Sequence, residues 1–114
     1  MALSTTGYTA SGAGTTAANG NYVPVTGAYA TYNGATQYTN GTDFIAFNMS
    51  GYWGVFTAPN AGGSLSYSAS GSTTTFPLTG WFTYAGFTAP APTFADMSAG
   101  GGGTTTTRRP PIYF

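Results

Sequence analysis

Glycine-containing turn dipeptides interrupt this chain at short intervals: Asn19-Gly20, Asn33-Gly34, Asn40-Gly41, Ser50-Gly51, Gly62-Gly63 and Ser70-Gly71. Asn-Gly between extended runs is a strong hairpin signal, because both residues tolerate the positive φ of a type I′ turn. With 18 Gly and 7 Pro in 114 residues, most helical candidates are broken. No window carries an apolar i, i+3, i+4, i+7 stripe bounded by caps.

Between the turns lie segments rich in Tyr, Phe, Thr and Val: residues 7–10, 21–25, 28–32, 37–39, 44–49, 52–57, 65–68 and 81–84. Such compositions at such spacing predict strands. The chain is expected to be all-β, a compact antiparallel sandwich or small barrel of short strands with an extended C-terminal arm. "DFIAFNMSGYWGVFTAP", residues 43–59, reads as a hairpin turning at Ser50-Gly51. Apolar residues occupy both of its faces, which predicts a central position covered on two sides. Pro24 marks an edge or a bulge. Residues 88–94, "TAPAPTF", are too proline-rich for an inner strand and are expected to run as an extended connection off the body. The composition shifts at Ser98, dividing a body, residues 1–97, from an arm, residues 98–114.

Charge is nearly absent. Asp43, Asp96, Arg108 and Arg109 are the whole complement, and His and Cys do not occur. A folded chain of this size exposes roughly 5,800 Å², and soluble monomers ordinarily spread far more charge over such an area. Nineteen aromatics (two Trp, nine Tyr, eight Phe) supply material for a core, so the chain is expected to fold rather than to remain disordered. A poorly charged surface on a folded body points to an existence inside an assembly. Two arginines without lysine leave little cationic footprint for nucleic acid. The longest apolar run, "FIAF", is far short of a membrane span, and the N-terminal residues show no secretory signal.

The same inventory is poor in reactive groups. Lacking imidazole and thiol, the chain offers no nitrogen or sulfur metal site, and the two carboxylates could at most form one pair. Each Asp is better read as a turn cap. The glycine clusters at 11–14 and 100–103 lack the following helix and Lys of a phosphate-binding loop. Trp53 and Trp81 could stack on sugars if exposed, but a body this small is expected to place them in its core. No catalytic residue, metal, cofactor or small-molecule substrate is therefore assigned.

The candidate binding residues lie in the arm: Thr104, Thr105, Thr106, Thr107, Arg108, Arg109, Pro110, Pro111, Ile112, Tyr113 and Phe114. Fully extended, residues 98–114 reach about 55 Å, beyond a body roughly 35 Å across. Burying Ile112, Tyr113 and Phe114 gains less than ordering the whole arm costs, so backbone hydrogen bonds must contribute. The β-branched run Thr104–Thr107 suits addition to a partner's sheet edge. Arg108 and Arg109 can pair bidentately with carboxylates, Pro110 and Pro111 stiffen the approach, and the glycines at 100–103 form the hinge.

SGAG at 11–14, NGxY at 19–22, YTNGT at 38–42, the Trp53 segment, PLTGW at 77–81 and PAPT at 90–93 together resemble a short module that recurs in tailed-bacteriophage virion proteins, among them tail fibres and small capsid-associated proteins. The resemblance covers residues 8–93. "FNMSGYW" stands where the module usually has a more polar, acidic turn. A copy that stands alone behind a starting Met with an anchoring arm looks like a capsid decoration, or cement, protein. The resemblance implies a place on the capsid exterior after synthesis in the host cytoplasm. Its implied partners are the major capsid protein and neighbouring copies, with a trimer as the expected arrangement. The alternatives are a receptor- or carbohydrate-binding module of a tail fibre and a minor tail or neck subunit.

Overall fold

The structure, a computed structural model, describes residues 3–97. Ten strands follow one another: β1 Tyr8–Ser11, β2 Gly20–Pro24, β3 Thr31–Tyr32, β4 Ala35–Thr36, β5 Tyr38–Thr39, β6 Phe44–Asn48, β7 Tyr52–Ala58, β8 Gly62–Ser70, β9 Phe82–Thr83 and β10 Thr93–Asp96. Two single 3₁₀ turns, Thr16–Ala18 and Gly27–Tyr29, interrupt them. Eight strands form one antiparallel sheet in the order β10-β1-β2-β5-β6-β7-β8-β9, while β3 and β4 pair with each other. The fold is all-β, as the turn spacing predicts.

The hairpin at 43–59 forms as read. Ile45 pairs with Val55 and Phe47 with Trp53, and Gly51, at φ 95°, closes the turn by donating its N–H to Asn48 O. One face contributes Ile45, Phe47, Trp53 and Val55 to the core. On the other, Ala46 and Phe56 are also buried, and a Cβ on Gly54 would strike the Phe56 ring. The hairpin is thus central and covered on both sides. At Asn33-Gly34 both residues take positive φ, 53° and 80°, and the two-residue turn joins β3 to β4, which lies against β6.

Register carries the inward face across the sheet: Phe94 opposite Ala10, Tyr8 opposite Tyr22, Tyr38 opposite Ile45, Val55 opposite Tyr67. In a flat sheet Phe94 on β10 and Trp53 on β7, five strand steps apart, would be separated by roughly 24 Å. Yet both ring centroids lie within 5.2 Å of the Phe76 ring. The sheet is therefore curled into a half-barrel, and Phe76, from the loop joining β8 to β9, fills its hollow. Tyr8 stacks on the same ring at 4.0 Å, with Tyr38 and Trp81 also around it.

Two segments depart from the sequence reading. Residues 28–32 are not one strand. They wrap the fully buried Gln37, whose amide donates to Tyr29 O and Asn60 Oδ1 while its backbone bonds Val25 and Ala30. Residues 88–94 do not leave the body. Gly14 N–H donates to Pro90 O, Pro92 is buried, and from Thr93 onward the chain is the edge strand β10 on β1. The prolines stop before the ladder begins, which leaves every N–H of β10 free to pair.

Phe76→Ala is expected to cost about 3–5 kcal/mol in denaturant unfolding, while Met49→Ala, at a hairpin tip 80 % exposed, changes stability by less than about 0.5 kcal/mol. Equal effects of the two would contradict the role given to Phe76.

Candidate functional site

All eleven arm residues singled out as candidate binders, Thr104 to Phe114, lie outside the described residues. The boundary at Ser98 lies at the same limit. Within residues 3–97 the question is which of the remaining chemistry-bearing groups come together.

The carboxylates do not. Asp43 precedes β6 and Asp96 ends β10, four strand positions apart. Burial alone pushes the Asp43 carboxyl up, with no contribution from a second carboxylate, whereas a shared-proton dyad depends on one. Asp43 is not the turn cap either. That role belongs to Asn40, whose Oδ1 accepts from the N–H groups of Thr42 and Asp43. Its Nδ2 donates to Ala17 O and Asn19 O, and Asn19 in turn exchanges two hydrogen bonds with the Ala13 backbone.

Trp53 and Trp81 are both buried, and each uses its indole N–H on the β8–β9 loop. Trp53 donates to Ser72 O and Thr75 O, Trp81 to Pro77 O. Neither presents a face for a sugar. The 11–14 cluster is a packing device, since a Cβ on Gly14 would overlap Ala89 O.

Tyrosine hydroxyls tie the connections to the core. Tyr22 donates to Ala18 O at 2.7 Å, Tyr38 to Ser4 O at 2.7 Å and Tyr67 to Thr88 O at 2.6 Å, while the Tyr8 hydroxyl accepts from Ser4 N–H. Burial pushes the Tyr8, Tyr22 and Tyr38 phenols above their ordinary range, and for Tyr22 the nearby Asp43 charge adds to it.

The surface of the described residues is uncharged apart from the two carboxylates, and among its Ser, Thr and Asn residues stand several large apolar side chains. Phe82 (69 % exposed), Tyr84, Leu78, Val23, Tyr29 and Met49 stand in solvent. Phe82 and Tyr84 share the outer face at β9, the last strand of the sheet. Tyr84 N–H donates to Ser66 O on β8. Amides alternate in direction along a strand, so the N–H and C=O of Thr83 point away from the sheet. At the opposite edge, Phe94 N–H donates outward to Leu78 O, and the β8–β9 loop shields β10. β9 is the more open edge. Sequence reading placed a strand at 81–84 without marking its face. The alternation in "WFTY" was the available signal, because a core Trp81 forces Phe82 and Tyr84 outward.

Comparison with models of protein families, with curated proteins and with solved structures finds no match.

Two pH effects follow from the buried groups. A phenol whose folded pKa is raised keeps its proton longer in the folded state, so stability is complete below about pH 10 and falls above it as the unfolded chain ionises first. In an alkaline titration part of the phenolate absorbance is expected to appear only as the β signal in circular dichroism is lost. Completion of that absorbance with the β signal intact would contradict the burial of these rings. For Asp43 the raised carboxyl makes the ionised form unfavourable, so Asp43→Asn is expected to stabilise the fold at pH 7 and to confer a smaller advantage at pH 3, read from denaturation midpoints.

Proposed function

We propose that this chain is a structural protein of a tailed-bacteriophage virion that decorates the capsid exterior and bridges neighbouring major capsid proteins through residues 98–114. The observation that carries the reading is a body whose described residues include two charged side chains, Asp43 and Asp96, and which displays Phe82, Tyr84, Leu78 and Met49 to solvent. Exposed apolar groups without charges to keep copies apart favour a surface that works covered. The resemblance of residues 8–93 supplies the setting. Stabilisation would come from many weak contacts repeated by symmetry, each raising the cost of opening the shell. The fibre-module alternative rests on aromatic platforms for glycans, and the burial of Trp53 and Trp81 removes its two strongest ones.

Deleting residues 100–114 is expected to abolish incorporation into particles while leaving the circular dichroism of the body unchanged. Copy number in purified particles is expected in the hundreds. Normal incorporation of the truncated chain, or a count near a small multiple of six, would overturn the proposal, as would saturable binding on a glycan array.

A further inference from the structure

We infer that Asn33-Gly34 is a site of spontaneous covalent modification, at which the Asn33 side-chain amide is lost as ammonia and the residue becomes aspartate or isoaspartate. The chain has three Asn-Gly pairs, at 19–20, 33–34 and 40–41. The fold ties down two of them and leaves this one open.

The chemistry is general to Asn-Gly. Hydroxide takes the proton from the glycine backbone nitrogen, which attacks Cγ of the asparagine. A bond from that nitrogen to Cγ forms, the Cγ–Nδ2 bond breaks, and ammonia leaves with a proton returned by water. A second water then opens the five-membered imide at either carbonyl, giving aspartate or isoaspartate, so the net change consumes one water and releases one ammonia. Glycine favours the attack because it has no side chain to crowd it. Asn21, Asn48 and Asn60 precede Tyr22, Met49 and Ala61 and lack that opening. Closing the ring requires the side chain to swing across the following amide and the peptide between them to rotate. The rate is therefore set by how firmly both are held.

Hydrogen bonding separates the three pairs. Asn40 uses its whole amide: Oδ1 accepts from the N–H groups of Thr42 and Asp43, and Nδ2 donates to Ala17 O and Asn19 O. The Gly41 nitrogen, which would have to attack, donates to Thr39 Oγ1 at 3.0 Å. Asn19 exchanges two bonds with the Ala13 backbone, and Gly20 is fixed in β2 opposite Ala10. Asn33 is held by a single side-chain bond, from Nδ2 to Phe47 O at 3.0 Å. Among the described residues its Oδ1 accepts from none, and the Gly34 N–H donates to none. Gly34 is also exposed, so hydroxide reaches its nitrogen. Only at 33–34 is the attacking atom free and its target held by one bond.

The product disturbs the fold locally. A carboxylate cannot donate to Phe47 O, and isoaspartate inserts its side-chain methylene into the main chain of a two-residue turn set at φ 53° and 80°. The β3–β4 hairpin, which buries Ala35 and lies against β6 through β4, loses that tie. The described residues gain a carboxylate beside Asp43 and Asp96.

The test is peptide mapping of full-length protein kept folded at mildly alkaline pH, read by mass spectrometry beside a sample unfolded in guanidinium chloride. Chymotryptic cleavage after Tyr8, Tyr22, Tyr32, Tyr38 and Phe44 puts each pair on its own peptide, 9–22, 33–38 and 39–44, and fragment ions assign the mass gain to the asparagine. In folded protein, peptide 33–38 is expected to convert roughly tenfold faster or more than the other two, the factor that about one or two further hydrogen bonds impose on opening. In the unfolded sample the three rates are expected to converge. Folded protein in which 33–38 stays intact, or in which 9–22 or 39–44 converts as fast, would overturn the inference, as would the same order of rates after unfolding. Asn33→Asp copies the aspartate product and is expected to unfold at a lower denaturant midpoint than wild type. An unchanged midpoint would overturn the part given to the bond with Phe47.

Discussion

The half-barrel depends on the Phe76 ring. The two end strands, β9 and β10, do not pair, so the curled sheet has a hollow inner face that something must fill. Phe76 supplies it from a loop, touching rings from β1, β5, β7 and β10 together with Trp81. The sheet holds the loop in return. Both indole N–H groups are spent on loop carbonyls, and a Cβ on Gly71 would collide with the Trp53 indole, so the loop can start only with glycine. Filling and fastening are one arrangement: losing the ring empties the hollow, and losing the fastening lets the ring leave.

A chain with so few charges must fix its loops by other means. Tyrosine does this by burying a ring and ending its hydroxyl on a connecting backbone, as Tyr22, Tyr38 and Tyr67 do at Ala18, Ser4 and Thr88. Asparagine does it nearer the surface, where Asn19 and Asn40 bind three stretches of main chain, at Ala13, at Ala17 and Asn19, and at Thr42 and Asp43. Neutral hydrogen bonds of this kind are not screened by salt. They leave the surface without strong fields, in keeping with the covered surface proposed above.

The legible parts of the fold were local. Asn33-Gly34 and Ser50-Gly51 announce turns because the required φ values are properties of the residues themselves, and the 43–59 hairpin follows from alternation on either side. Segments organised from a distance were read less well. Residues 28–32 look like one strand, yet Gly27–Tyr29 form a 3₁₀ turn whose Tyr29 carbonyl accepts from the buried Gln37 amide, and only Thr31–Tyr32 are strand. The prolines at 90 and 92 suggested a departure from the body because their backbone contact, Gly14 to Pro90, joins residues far apart in sequence. Of the candidate site, alternation at 81–84 could have marked Phe82 and Tyr84, but whether that edge is open depends on where the β8–β9 loop goes.

By itself the sequence determined the strand-and-turn rhythm, the central hairpin and the near-neutral surface, because each is set by residue type and short-range spacing. Tertiary structure alone decided which apolar face became the hollow, that Phe76 in "STTTFPLTG" should fill it, and that β9 rather than β10 should be left open. Period-two alternation defines two faces and two edges. Only the curl of the sheet, a sum of contacts between strands distant along the chain, chooses between them.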